Sequence, residues 1–248
     1  MLLVIDAGNT QTVFGLWNGS SWQAIWRMQT NPPATEDEIG AFYLSVSGGN
    51  EEPKRCLCAN VVPALSDSLS RFAKKWLGCE IEVLSSETVP ALEIRYEPKS
   101  AVGADRLANA IAAKSNHKVP AIVVDFGTAT TFDAVGPNGE YMGGSIMTGP
   151  VVSMEALFMR AAKLPKVELA PPKNAIGHDT NSSLQSGLML GYAGAIDSLA
   201  RRIKIELGGS PVVIATGGLA PLFAPLCEQI DIVDENLTID GIRLAFGA

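Results

Sequence analysis

Apolar positions along this chain switch between runs of four to six and helical spacing, which predicts strands and helices in alternation. Leu2–Ile5 is a short apolar run closed by Asp6. Thr12–Trp17 follows after a tight Gly-Asn break, and Asn18-Gly19 then marks a hairpin turn. Thr35 with Glu38 has capping-box spacing; Ile39, Phe42, Tyr43 and Val46 continue it at helical spacing, and Gly48-Gly49 ends it. Arg55–Val62 reads as a buried strand. Leu65, Leu69, Phe72, Ala73, Trp76 and Leu77 form a helical stripe stopped by Gly78. Glu80–Leu84 reads as a strand and Asp105–Ser115 as an alanine-rich helix.

The pattern then restarts. Ala121–Asp125 is an apolar strand ending in Asp, Thr130–Val135 is a second run, and Asn138-Gly139 is a second turn signal. A long helix is expected from about Ser183 to Leu207, then a buried strand at Pro211–Ala215. Leu164–Asp179, rich in Pro, Lys and Gly, reads as a surface loop. Alternating strands and helices predict α/β architecture. Asp6-x-Gly8-Asn9-x-x-Thr12 and Asp125-x-Gly127-Thr128-x-x-Thr131 match at a constant offset, each after an apolar strand and before an Asn-Gly turn. Such a match predicts duplicated half-domains, residues 1–117 and 118–248, facing a shared central cleft.

Composition narrows the chemistry. With 47% hydrophobic and 18% charged residues in a chain of 248, the sequence is that of a globular protein. A net charge of -7 argues against nucleic acid as a partner. No apolar run approaches the roughly 18 residues that span a bilayer. Residues 1–6 lack the basic region of a signal peptide, so a cytoplasmic protein is expected. Four cysteines (56, 58, 79 and 227) without a CxxC pair, and two histidines, make a zinc site unexpected; Cys56 and Cys58 share one strand face as packing residues.

The strand-tip motifs carry the candidate chemistry. Gly8 after a strand permits a positive φ and a sharp turn, and successive amides of such a turn converge on phosphate. Asn9 and Thr10 add side-chain donors, and Asp6 is placed to hold Mg²⁺ directly or through water. An ordinary hairpin turn carries the same letters. In the second copy Thr128 offers a hydroxyl and Asp125 a cation ligand. Thr216-Gly217-Gly218 follows a buried strand and leaves a flat surface for a purine; a plain turn is the alternative. Gly103-Ala104-Asp105-Arg106 opens a helix whose N-terminus favours anions. There Arg106 fits a carboxylate and Asp105 fits a proton acceptor for an attacking hydroxyl. The P-loop, dinucleotide, zinc-protease and hydrolase signatures are all absent.

A duplicated hairpin of this kind resembles the superfamily of acetate and sugar kinases, Hsp70 and actin, whose half-domains have a ribonuclease H-like fold. More specifically, the sequence resembles the type III pantothenate kinase family over nearly its whole length. The matching signatures are Asp6–Thr10; Tyr96-Glu97-Pro98 with Gly103–Arg106; Asp125–Thr128; Gly143–Ile146; Gly177–Thr180 with Gln185-Ser186-Gly187; and Ala215–Leu219. Arg27–Glu38 is similar to the family's Arg…Thr…Asp-Glu segment.

The resemblance implies ATP-dependent phosphorylation of pantothenate, the first step of coenzyme A synthesis. It implies that Asp6, Ala7, Gly8, Asn9, Thr10, Gln11, Thr12 and Val13 wrap the ATP phosphates, with Thr128 and Gly217 also on the nucleotide. Asp105 would accept the proton of the pantothenate hydroxyl. Tyr96, Gly103, Ala104, Asp105 and Arg106 would bind pantothenate, joined by Thr180 from the partner subunit of a homodimer. Asp125 would hold a monovalent cation, K⁺ or NH₄⁺, and Mg²⁺ would accompany ATP. The chain departs from the family at Thr148, where Pro is usual, and at His178-Asp179, where a basic residue and Asn are frequent. Thr148 would loosen a turn, and Asp179 would disfavour an anion if it faced the site. The rival readings are a non-catalytic accessory protein that keeps the kinase fold, and an ATP hydrolase of the same fold.

Overall fold

The computed structural model describes residues 1–49, 53–89 and 92–248, which form two compact units. One holds Met1–Ser115 with Leu237–Ala248, the other Asn116–Asn236.

In the first unit, β1 (Leu2–Ala7), β2 (Gln11–Trp17) and β3 (Trp22–Gln29) form an antiparallel meander. β4 (Arg55–Asn60) and β5 (Ile81–Val83) add parallel strands on the other side of β1, giving the order β3-β2-β1-β4-β5. Leu3, Ile5 and Ala7 alternate onto one face and pack with Phe14, Ile39, Tyr43, Leu69 and Phe72. Each fully buried large side chain stabilises the unit by about 1.5–3 kcal/mol. Cys56 and Cys58 lie in this same core; burial pushes the Cys58 thiol far above its ordinary range, so both act as small hydrophobes.

Helix α1 (Glu36–Ser47) begins at the expected capping box. The Thr35 side chain accepts from the Glu38 amide, and Glu38 returns a carboxylate to the Thr35 amide. Gly48 closes the helix in the left-handed region. The stripe at residues 65–77 forms a 3₁₀ turn, then α2 (Ser66–Phe72), then a π turn to Leu77. Helix α3 (Ala104–Asn116) buries Arg106, Leu107, Ala108, Asn109 and Ala110.

The second unit repeats the plan. β6 (Ala121–Phe126), β7 (Ala129–Val135) and β8 (Tyr141–Thr148) form the meander, while β9 (Val212–Thr216) and β10 (Ile232–Val233) lie parallel beyond β6. The order β10-β9-β6-β7-β8 is the first sheet's topology again. Even the irregularities agree: the register shifts between Leu16 and Trp17 in β2 and between Ala134 and Val135 in β7. Helix α4 (Pro150–Arg160) follows β8, and α5 (Thr180–Leu207) lays Met189, Ile196 and Ala200 against Ile122, Val124 and Val213. The short α6 (Ala220–Phe223) adds Phe223, stacked on Phe126 at 5.7 Å.

The expectation of a second half running from 118 to the end differs from the observed division. Helix α7 (Leu237–Ala245) belongs to the first unit. Thr238 donates to the buried Asn109 of α3, Asp240 accepts from the Trp22 indole, and the Arg243 guanidinium lies 4.2 Å from the Trp17 ring. The amphipathic helix thus finds its partners on the first sheet and on α3.

Candidate active site

The letter repeat and the structural repeat part company at the turn. Asp6 lies opposite Val13 and Ala7 opposite Thr12; in the second hairpin Asp125 lies opposite Thr131 and Phe126 opposite Thr130. Four residues, 8–11, separate Ala7 from Thr12, but three, 127–129, separate Phe126 from Thr130. Burial agrees, since Thr12 and Thr130 are both buried while Val13 and Thr131 are half-buried. The structural counterpart of Thr12 is therefore Thr130, not Thr131.

The first hairpin's additional residue is Asn9. Thr30 donates its amide to the Thr10 carbonyl at 2.9 Å, and Gly149 donates to the Thr128 carbonyl at 3.0 Å, so Thr10 and Thr128 occupy equivalent hairpin tips. Both are exposed.

Gly8 is not in the left-handed region, contrary to expectation. Its amide donates to the Gln11 carbonyl at 3.1 Å, and a Cβ there would sit 3.0 Å from the same oxygen. Close approach, not positive φ, is what favours glycine at 8. The loop is braced from below: Thr30 Oγ1 donates to the Gly8 carbonyl at 2.6 Å and lies 2.9 Å from the buried Thr12 Oγ1. The sequence reading missed Thr30 as a brace, although it lies in the quoted Arg27–Glu38 segment. Asp6 and Gly8 are half-buried, Ala7 is buried, and Asn9, Thr10 and Gln11 are exposed. The turn thus offers polar groups to a ligand from a fixed base.

Gly149 braces the second hairpin. A Cβ on it would run into the Gly127 and Thr128 carbonyl oxygens and lie 2.8 Å from the Thr128 carbonyl carbon. Tyr192 of α5 reaches the same place, its hydroxyl 2.6 Å from the buried Thr130 Oγ1 and 2.9 Å from the Thr148 carbonyl oxygen. Burial raises the Tyr192 phenol, which keeps it a proton donor. Thr148 ends β8 opposite Ala129, and its hydroxyl meets Ser153 at 2.9 Å.

Gly217, at the end of β9, has φ +89. A Cβ on it would collide with the Asp125 carboxylate and lie 2.8 Å from both the amide nitrogen and the carbonyl oxygen of Phe126. The bare surface at 217 is therefore covered by its own unit, and Gly218 is the neighbour whose side-chain position meets open space.

In the first unit, Asp105 is half-buried in the first turn of α3, with Arg106 6% exposed beside it. Asp105 Oδ1 accepts from the Arg106 amide at 2.8 Å. Burial pushes the Asp105 carboxyl above its ordinary range, partly offset by the Arg106 amide and guanidinium. Gly103 leaves the space that the Asp105 carboxylate occupies, and Ala104 is buried. Tyr96 is half-buried in a bend before the turn Lys99–Ala101.

Thr180 is exposed at the start of α5. Asp179 caps that helix: its carboxylate accepts from the Ser182 amide at 2.9 Å, which also lowers its proton affinity. The capping role gives this residue an intramolecular partner for the charge that was expected to disfavour an anion. Among the described residues no group of three or more His, Cys, Asp and Glu comes together as a metal cluster.

A family model for type III pantothenate kinase matches residues 2–202. The chain is 46% identical to the type III pantothenate kinase of Desulfatibacillum aliphaticivorans, covering 99% of this chain and 98% of that protein. It is 43% identical to the enzyme of the same name from Syntrophus aciditrophicus, with coverage of 99% and 98%. The fold resembles ethanolamine utilization protein EutJ from Carboxydothermus hydrogenoformans, with TM-score 0.58 and 12% identity over 99% of this chain and 89% of that one. It also resembles component A of (R)-2-hydroxyglutaryl-CoA dehydratase from Acidaminococcus fermentans, with TM-score 0.52 and 16% identity over 99% and 98%.

Proposed function

The chain belongs to the type III pantothenate kinase family, and we propose that it transfers the terminal phosphoryl group of ATP to the primary hydroxyl of pantothenate. The products are 4′-phosphopantothenate, ADP and a proton, the first step of coenzyme A synthesis. The observation that carries the reading is the start of α3, where a half-buried Asp105 of raised proton affinity adjoins the buried Arg106. A carboxylate of that kind orients the attacking hydroxyl and takes its proton. Arg106, with Gly103, Ala104 and Tyr96, holds the pantothenate carboxylate end through charge-assisted hydrogen bonds. Thr180 contributes from a partner subunit.

Residues 6–13 hold the phosphates, with backbone amides and the Asn9 and Thr10 side chains as donors. Thr128 supplies the equivalent hydroxyl from the second hairpin, and Gly217 belongs to the nucleotide surface through the backbone it allows. Asp6 would hold Mg²⁺, directly or through water, and Asp125 a monovalent cation. When bound, these ions would supply positive charge that screens the developing phosphate charge.

A homodimer is supported by the apolar side chains left exposed on β8 and α4, namely Ile146 at 64%, Met159 at 78% and Phe158 at 46%. Four free cysteines fit a reducing cytoplasm. Among the described residues no helix is long and apolar enough to cross a membrane.

The test is an assay with ATP, Mg²⁺ and K⁺, with and without pantothenate. Equal yields of ADP and phosphopantothenate, with little ADP when pantothenate is omitted, are expected. ADP release indifferent to pantothenate would refute the assignment in favour of an ATP hydrolase.

A further inference from the structure

The two halves share a strand-tip aspartate but differ in what stands beside it. In the parallel ladder of the first unit, Asp6 is paired with Ala59. In the second, Asp125 is paired with Thr216. Register partners in adjacent strands project to the same sheet face. Ile122, Val124 and Phe126 of β6 and Val213 and Ala215 of β9 face the core, so Asp125 and Thr216 project together from the opposite face. Thr216 is 1% exposed, and its Oγ1 has no hydrogen-bond partner among the described residues. Buried hydroxyls are nearly always satisfied, and one that is not calls for a missing occupant.

The next residue shapes the same place. Gly217, at φ +89, lets the Asp125 carboxylate and the Phe126 backbone occupy the space of a side chain. Its counterpart position in the first unit is Asn60, whose side chain bonds Ser66 and the Val62 amide. Duplicated halves thus keep the carboxylate, while only the second adds a buried oxygen and a bare backbone next to it. A hydroxyl this enclosed calls for a small occupant, such as an ion or a water.

We infer that Thr216 Oγ1 is an oxygen ligand of the monovalent cation at Asp125, and that this hydroxyl fixes the ion to the second half. The inference rests on the reading of Asp125 as the cation's carboxylate. Monovalent cations such as K⁺ are held by several neutral oxygens in place of water, and a threonine hydroxyl supplies a lone pair without adding charge. Ala59, the register partner of Asp6, offers no such oxygen.

Thr216→Val keeps the shape and removes the oxygen, whereas Thr216→Ser keeps the oxygen. The assay is the melting temperature of the full chain, titrated with KCl against NaCl at constant ionic strength, with Asp125→Asn alongside. Wild type should melt higher as KCl rises. Thr216→Val should need at least about tenfold more KCl for half of that rise. Thr216→Ser should follow wild type, and Asp125→Asn should not respond. In zero KCl, Thr216→Val should melt no lower than wild type, because it loses only an unpaired hydroxyl; this separates a lost ligand from a damaged fold.

A KCl curve for Thr216→Val that overlays wild type, while Asp125→Asn is flat, would overturn the inference and leave the cation at Asp125 standing; the hydroxyl would then hold water. A wild type indifferent to KCl would remove the cation from Asp125 and the inference with it, while leaving the pantothenate assay untouched.

Discussion

Tyr192→Phe isolates the brace between α5 and the second hairpin. The phenol lies 2.6 Å from Thr130 Oγ1 and 2.9 Å from the Thr148 carbonyl oxygen. Thr148 is exposed, so its carbonyl regains water when the phenol is removed; Thr130 is fully buried and does not. The cost is that of one stranded buried hydroxyl, about 1–3 kcal/mol. For a chain of this size each kcal/mol lowers the melting temperature by roughly 2–4 °C, so a fall of about 2–12 °C is expected.

Replacing both partners by apolar groups of the same shape removes that penalty. Thr130→Val alone leaves the phenol bonded to Thr148, so it should cost less than about 1 kcal/mol. Adding Tyr192→Phe to it should then cost little more. Urea denaturation of the four proteins gives the coupling energy, expected at about 1 kcal/mol or above, with unchanged m-values. If Tyr192→Phe costs the same, within about 0.5 kcal/mol, with and without the Thr130→Val substitution, the brace is not what holds this hairpin.

Gly149→Ala drives a Cβ into two carbonyl groups of the second hairpin, so it should cost about 1–3 kcal/mol and raise KM for ATP more than it lowers kcat. Thr35→Ala removes the cap of α1, distant in sequence from every proposed site residue, and should cost about 0.5–2 kcal/mol in urea with unchanged turnover. Burial raises Asp105, so the acid limb of the kcat/KM profile should fall above the ordinary aspartate value of 3.8. The same shift has a stability consequence. The folded chain binds this proton more tightly than the unfolded chain, so its contribution is whole below the unfolded value and is lost as pH rises through the folded one. Asp105→Asn should therefore gain on wild type in melting temperature at neutral pH and lose that advantage in acid.

Much of this architecture is legible in the letters. Apolar runs ending in Asp6 and Asp125 are unmistakable because both strands are buried except at the aspartate. The box at Thr35 and the stripe from Leu65 also read directly, since caps and helical spacing are local signals. β3 escaped the reading although it alternates: Trp22, Ala24, Trp26 and Met28 are half-buried on one face, Gln23, Arg27 and Gln29 are exposed on the other, and only Ile25 breaks the pattern. The one-residue slip at Asn9 was hidden by its own letters: a gapless alignment pairs Thr12 with Thr131, and only strand register shows Thr130 to be the counterpart. The placement of α7 depends on Asn109 and Trp17, far away in sequence. Gly217 was read for its bare surface; that its positive φ also makes room for the Asp125 carboxylate is a tertiary fact that the letters do not carry. Thr216 was read only as the first residue of the Thr216-Gly217-Gly218 turn, because a hydroxyl at a strand end shows nothing of its own until its burial and lack of a partner among the described residues are known.

Phosphoryl transfer to pantothenate, with Asp105 receiving the hydroxyl proton, is tested most directly by following phosphate from γ-labelled ATP into phosphopantothenate. Wild type and Asp105→Asn are compared at saturating ATP. Wild type should form the labelled ester, and the variant should form it about 10²–10⁴-fold more slowly while still binding ATP. A variant that labels pantothenate as fast as wild type would remove Asp105 from the chemistry.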